Sequence, residues 1–476
     1  MDDFFEKENS QNWPFATYLA KNGARTNEEF NKAKTNYISE MLQMKNSEDF
    51  NDFKQQIGRH IKEATVMFFI DIQRALQATK EQYPEQEQKQ NVKRTTDDVD
   101  IFYHVNSEQD IWDLWYQFFK ECKADENMHE FSLEKVGILQ YGYKVKMRSC
   151  LIKELYDHMT PKQPTLINAF HGYEKDIALV FSSKNEVEFI PNLKQFKHKY
   201  DQDNEALFIS KILKLLMEVP INARKQLWIK KSEANYSEYF IWQLFKIATK
   251  YSSNNSLCFE IGEYKLESIK HEIDRRSDEK LKACSYNADG SHTGSIGGKT
   301  VELSLLEVTG AFGFSDIARS IKYHIKGSFD ALSLLQETAH LFEFGSLDTF
   351  HQIRVYFIQA LEEKIRVWSL EQTSQGVCIM ELIETANIST KFEDSEIFMR
   401  DVTNILYVYK HSLKRSLEQV ERLEREHKEV KLSIARKVIS PASVISLVSS
   451  LEKGCVLKIK GEYIPGYQEL AIVASA

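Results

Sequence analysis

Proline and glycine are scarce in this chain, with 8 and 18 among 476 residues. So few helix breakers exclude a collagen-like or linker-rich protein and point to a helix-rich chain with few long loops. Cysteine is sparse too. Cys122, Cys150, Cys258, Cys284, Cys378 and Cys455 form no Cys-x-x-Cys pair, so neither a zinc cluster nor a dithiol redox motif is indicated. They read as the reduced thiols of an intracellular protein. No run approaches the ~18 apolar residues of a membrane span. The opening Met-Asp-Asp-Phe-Phe-Glu-Lys-Glu is acidic where a signal peptide is basic, so the expected location is cytoplasmic or nuclear, with no membrane partner. Positive charge is also short: the net charge is −8 and the pI near 6.0. Such a chain does not attract nucleic acid through its overall field, and any contact needs a local basic patch.

What is present is core material. Hydrophobic residues make up 42% and charged residues 28%, with 29 Phe and 21 Tyr, and the length implies two or three domains. Residues 1–90 read as helices, with apolar residues at helical spacing between Phe53 and Leu76. A polar stretch over 80–99 reads as a linker. Residues 91–230 are mixed. Trp112, Trp115, Phe118 and Phe119 make one aromatic helix face, read as core packing rather than a base-stacking platform. Residues 136–146 and 177–190 read as strands, and 206–217 as a helix.

Residues 231–385 read as a compact α/β unit. A helix over 232–250 precedes a short strand at 257–261, then strands around Asp289 and Glu307. A helix over 316–342 follows, with Ile317, Ile321, Ile325, Phe329, Leu332 and Leu335 three or four apart. Residues 353–359, 364–370 and 377–383 read as three more strands. Residues 393–439 carry a long three-four repeat from Val402 to Ile434, either a coiled coil through which copies associate or a helix laid along a domain. Residues 440–476 form a tail with a strand-like stretch at 456–459.

The chemistry concentrates between Ala283 and Gly310. Glu307 ends the row Val301, Leu303, Leu305, so strand periodicity puts it on their apolar face. A carboxylate there is costly unless paired or bound to a cation. If the Asp289 and Glu307 strands are neighbours, the two acids converge on one Mg2+, a hard cation that takes oxygen ligands. The plain alternative is a turn Asp before Gly290 and a strand-end Glu paired with a base. The loop Gly294-Ser295-Ile296-Gly297-Gly298-Lys299-Thr300 ends like a P-loop, but Thr293 stands where the first glycine belongs and a strand follows where a helix is needed. A hairpin loop explains it better. His292 is near enough to Asp289 to serve as a base, or is a loop histidine without a role. His324 and His340 lack zinc-motif spacing. Lys410, Lys414, Arg415, Arg422 and Arg425 on the long helix interleave with Glu418, Glu421 and Glu424 and read as a salt-bridged solvated face.

An acidic residue at a strand end, a short loop and a hydrophobic strand ending in Glu-x-x resembles the core of the PD-(D/E)XK nuclease superfamily. The sequences Ala-Asp-Gly and Leu-Leu-Glu-Val-Thr-Gly also resemble a group of fungal proteins associated with that core. The resemblance spans about residues 231–385. Asn287-Ala288 stands where the superfamily has Pro before the Asp, and Thr309 replaces the Lys of Glu-x-Lys. The resemblance implies that Asp289 and Glu307 hold the metal. It also implies that the lysine has moved to the following helix, as Lys326 or Lys322, which with Arg319 otherwise form a solvated basic face. It implies a further acid from the first core helix, with Glu233, Glu238 and Glu263 as candidates. Glu238 is preferred because Tyr239-Phe240-Ile241 suggests burial. The expected protein is therefore α+β, with a helix-rich N-terminal half, a PD-(D/E)XK-like core on a mixed sheet and a long C-terminal helix. The expected activity is Mg2+-dependent hydrolysis of DNA or RNA. A nuclease fold that binds without cleaving, or a scaffold that self-associates through 393–439, are the alternatives.

Overall fold

The structure is a computed structural model. It describes residues 108–129, 131–142, 168–252, 256–276, 287–374, 376–440 and 443–451, with isolated positions at 36–37, 41, 145, 150–151, 155 and 158. The chain divides into two compact units, Met1–Tyr103 and His104–Ala476. The helices expected over 1–90, the linker over 80–99 and the strand at 456–459 lie outside the described residues. Within the second unit, one sheet and its covering helices run across residues 230/231 and 385–393.

That sheet has seven strands: β1 (Ile138–Tyr141), β2 (Leu257–Lys265), β3 (Asn287–Ile296), β4 (Lys299–Thr309), β5 (Val355–Leu361), β6 (Lys364–Ser374) and β7 (Val377–Asn387). Their order is β1-β7-β6-β5-β4-β3-β2. The pairs β1/β7 and β4/β5 are parallel and the others antiparallel, so the sheet is mixed. The central strands β4 and β5 are rich in Val, Leu, Ile, Phe and Tyr and are buried nearly throughout, as strands covered on both faces must be.

The helices are α1 (Glu108–Ala124), α2 (Glu174–Phe181), α3 (Glu186–Lys199), α4 (Asn204–Leu216) and α5 (Ala223–Ile229). Next comes α6, which runs from Glu233–Tyr236 through a π-turn at Ser237–Ile241 into Trp242–Lys250. Then follow α7 (Glu267–Arg276), α8 (Ile317–Leu341), α9 (Leu347–Phe350) and α10 (Ser395–Ala435). Helices α8 and α7 cover one face of the sheet; α6, α4 and α10 stack on the other. Up to residue 250 the described chain is helical apart from β1 and short turns, which matches the expected helix-rich half.

Helix α8 is the crossover that makes β4 and β5 parallel. Asp316 caps it through the Arg319 amide, 2.9 Å from Oδ1. Of the expected stripe, Ile321, Ile325, Phe329, Leu332 and Leu335 are buried against the sheet, and Ile317 at the first turn is exposed. Gly327 lets the helix sit on the Phe357 ring, where a Cβ would come within 2.3 Å of Cε2. Helix α10 uses its stripe in the same way: Phe398, Val402, Leu406, Tyr409, Leu413, Leu417, Val420 and Leu423 are all buried in the chain's own core. Over that length it is a helix laid along the domain, while further on Val430 and Ile434 of the expected stripe are half-buried and Leu432 is 53% exposed.

One expected strand is absent, and one helix was not foreseen. Residues 177–190 are not a strand but the end of α2 and the start of α3. Ile177 and Val180, then Phe189, Leu193 and Phe196, are buried at helical spacing, and Asn185 caps the second helix by accepting the Glu188 amide at 3.1 Å. Helix α7, between β2 and β3, had no counterpart in the sequence reading. The aromatic face of α1 is core: Trp115, Phe118 and Phe119 are buried and pack ring on ring at 5.3–5.9 Å. Among the described residues no helix is long and apolar enough to cross a membrane.

Gly327→Ala forces its methyl into the Phe357 ring. Overpacking of this kind costs about 1–3 kcal/mol, so the variant is expected to unfold at a correspondingly lower urea midpoint than wild type in equilibrium denaturation.

Candidate active site

The hairpin of β3 and β4 closes through Gly297-Gly298, both at positive φ (58° and 78°). Two such residues suit a tight two-residue turn whose twist matches the strands. The expected seven-residue loop is therefore mostly strand, and no helix follows it to form a phosphate-binding loop. Register then runs down the hairpin to the pair Gly290 and Leu306. The ladder ends at that pair; Asp289 and Glu307 are the next residues along their strands, and the Asp289 carboxylate meets the amide of Val308, the residue after Glu307. Asp289 is thus within a strand rather than at its end.

A bulge interrupts the hairpin. His292 pairs with Ser304 but Thr293 with Glu302, which leaves Leu303 as the extra residue. The slip reverses which side chains face which layer. Leu305 shares the α8 face with Glu307, since its partner Phe357 meets Gly327 of α8. Val301 and Leu303 do not continue that row as the alternation predicted. Glu302 takes the place instead, and its carboxylate accepts the Glu267 and Ser268 amides at the start of α7, at 2.9 and 3.1 Å.

Helix α8 supplies the cation. Lys326 Nζ donates to Glu307 Oε1 at 2.5 Å and to the Asn287 carbonyl at 2.9 Å, and lies 3.9 Å from Asp330 Oδ2. Glu307 is 1% exposed and Asp330 3%. Asp289 Oδ2 accepts the Val308 amide at 2.7 Å, and its carbonyl accepts Trp242 Nε1 of α6 at 2.7 Å. One lysine thus serves three carboxylates. Burial drives the Glu307 carboxyl up to about 8, since the attraction of Lys326 is outweighed by desolvation and by Asp289 and Asp330. Burial likewise lifts Asp289 to about 6, against the Val308 hydrogen bond and with Glu233 adding to the rise. Asp330 rises to about 6 by burial. The Lys326 ammonium is held charged: the surrounding acids raise it despite burial.

The remaining candidates separate clearly. Glu233, at the start of α6, reaches the end of β4: its Oε2 accepts the Gly310 amide at 2.8 Å and pairs with Arg319 at 2.5 Å. Glu238, the preferred helix acid, is exposed on the π-turn instead. Lys322 is half-buried one turn before Lys326, and it is Lys326 that meets Glu307. Thr309, in place of the motif lysine, is 1% exposed and its Oγ1 has no hydrogen-bond partner. His292 points to the opposite face, fully buried, bonded to Thr249, Ser304 and Tyr409 at 2.8–2.9 Å. Burial lowers it to about 3, so it is a neutral core residue and not a base for Asp289. Asp330 escaped the sequence reading, although its place four residues after Lys326 on one helix face is a readable signal. Among the described residues no group of three or more His, Cys, Asp and Glu side chains is arranged to hold a metal ion.

The raised carboxyls set a sign for pH. In the folded chain Glu307 keeps its proton to about pH 8; unfolded, it loses it near 4.5. Between those values the folded state binds more protons, so this contribution is full at low pH and is lost as pH rises through 8. Glu307→Gln cannot ionise. Urea midpoints taken from about pH 6.5, where unfolded histidines are half-neutral, to pH 9 should therefore fall less in the variant than in wild type. Parallel curves would place Glu307 outside a desolvated cluster. No family profile, curated protein or solved structure matches this chain.

Proposed function

We infer that the unit His104–Ala476 is a Mg2+-dependent phosphodiesterase acting on DNA or RNA, built on a PD-(D/E)XK-like core. The observation that carries the reading is the Asp289 carboxylate on the Val308 amide, next to Glu307, with Lys326 on the Glu307 carboxylate. The order helix, strand, strand, strand, helix, strand, from α6 to β5 with α7 inserted, supports it, as does the parallel β4/β5 pair across α8. Lys326 supports the idea that the lysine missing at Thr309 is supplied from the next helix.

The donor set suits the ion. Two oxygen-bearing side chains are few for calcium or zinc, but Mg2+ commonly takes one or two carboxylates and completes its shell with water and substrate phosphate. A buried acidic pair with raised pKa values is also one that a cation relieves. Asp289 and Glu307 would hold the ion. It would polarise the phosphodiester and acidify a water. Lys326, fixed by Glu307 and the Asn287 carbonyl, keeps its charge and offers a donor to the attacking water or to the charge that develops on phosphate. Glu233 and Arg319 brace the end of β4 on which Glu307 sits. An intracellular setting, cytoplasmic or nuclear, belongs to the same reading and agrees with Cys122, Cys150, Cys258 and Cys378 lying outside any disulfide.

Thr309 favours a second reading, a nuclease fold that binds nucleic acid without cleaving it. The two readings part in one experiment. Wild type with Mg2+ or Mn2+ is expected to cleave a labelled polynucleotide, and Asp289→Ala and Glu307→Ala to abolish cleavage. Lys326→Met should slow it by about a hundredfold or more. Mg2+ should also raise the melting temperature of wild type but not of Asp289→Ala. Salt-sensitive binding with no cleavage supports the second reading. Cleavage indifferent to both acids removes the site.

A further inference from the structure

The segment 223–231, Ala-Arg-Lys-Gln-Leu-Trp-Ile-Lys-Lys, carries four cations and no acid in a chain of net charge −8. It forms α5 and the turn into α6. Ile229 is its buried anchor, while Leu227 and Trp228 stand out, 67% and 42% exposed. The Trp228 ring lies 5.5 Å from that of Tyr239 on α6, also 42% exposed. Arg224, Lys230 and Lys231 are exposed around the pair, and Lys225 lies 3.7 Å from Glu218. Glu218, half-buried Glu233 and exposed Glu238, beside Tyr239, are acids that accompany them.

This patch is tied to the candidate active site. The Ile229 carbonyl accepts the Phe312 amide at 3.1 Å, and the Phe312 ring meets Tyr236 edge-on at 5.5 Å. Phe312 lies five residues after Glu307, on the loop that Glu233 holds through Gly310. Phe314, 47% exposed, and Ile317, 63% exposed, extend the uncovered apolar surface along that loop to the start of α8.

Exposed rings ringed by cations are the two halves of a single-strand binding surface. Aromatic faces stack on bases of any sequence, and lysine or arginine follows the phosphates. A duplex keeps its base faces inside, so it can use the cations but not the rings. We propose that Trp228 and Tyr239, with Arg224, Lys230 and Lys231, form a platform for a single-stranded polynucleotide whose backbone continues to Asp289 and Glu307. The choice of a polynucleotide as occupant rests on the phosphodiesterase reading above, and charge complementarity with this basic segment selects it over a neutral or basic partner.

The test uses the full chain in EDTA, so that no cleavage intervenes, with a labelled oligothymidylate of about 20 nucleotides and a duplex of equal length, long enough to cover a typical site. Wild type is expected to bind the single strand more tightly than the duplex. The double variant Trp228→Ala, Tyr239→Ala should lose about tenfold or more of single-strand affinity, with an unchanged melting temperature because both rings are exposed. Replacing Arg224, Lys230 and Lys231 by Gln should flatten the slope of log affinity against log salt by about two. Equal single-strand binding by wild type and the aromatic double variant overturns the proposal. So does preference for duplex, or Trp228-dependent self-association in sedimentation without oligonucleotide binding. Ring-dependent binding by a protein that never cleaves would fell the enzymatic reading and leave the platform standing. Cleavage lost with Asp289 but bound and cut normally without the rings would do the reverse.

Discussion

Three carboxylates and one ammonium meet beneath α8, where water is largely excluded, and the arrangement of the C-terminal half follows from bringing them there. Asp289 arrives by hairpin register, Glu307 by strand parity beyond a bulge, Lys326 and Asp330 by the docking of a crossover helix. Each is a different kind of constraint. Isolated buried charge is expensive, and a single cation does not neutralise three acids. The cluster is consequently short of positive charge, and burial holds its carboxyls protonated to higher pH than usual. A core evolved only for stability has little reason to keep such a group beside Leu305 and Phe357, which fill the same layer with hydrocarbon.

The two faces of β3 and β4 show how one residue of parity separates roles. Asp289 and Glu307 look toward α8. His292 and Ser304 look the other way, where the Tyr409 hydroxyl of α10 hydrogen-bonds with both side chains and Phe245, Phe259 and Tyr356 enclose them. That second polar group is satisfied within itself and stays neutral, so it fastens the long helix to the sheet instead of offering chemistry. Proximity in sequence made His292 look like a partner of Asp289; a pleated backbone made it the opposite.

Much of this was legible beforehand, and the reasons are specific. The strands β5, β6 and β7 and the helices α8 and α10 announce themselves through long, regular apolar spacing, and their bounds shift by only a few residues. That the strands of Asp289 and Glu307 are neighbours agrees with the strand-like flanks around both. The segment 177–190 misled because Ile177, Leu179 and Phe181 also alternate, while the capping signal at Asn185 was weaker than the pattern around it. The bulge at Leu303 left no trace, since Val301, Leu303 and Leu305 keep a perfect two-residue rhythm through it. Glu238 was preferred over Glu233 from aromatic neighbours, but in the π-turn those neighbours divide, Phe240 inward and Tyr239 outward, and the acid goes out with Tyr239.

The edge pairing of β1 with β7 sets a timetable for the chain's birth. Ile138 lies beside Cys378, 240 residues later, in parallel alignment. At synthesis rates of roughly 5–20 residues per second, the first strand waits on the order of 10–50 s for its neighbour to emerge. During that interval its hydrogen-bonding groups are open to any other strand edge nearby. Only four residues long, with Gly137 and Gly142 on either side, β1 presents very little to a stray template. The brevity that makes it a minor part of the finished sheet is what makes the delay safe.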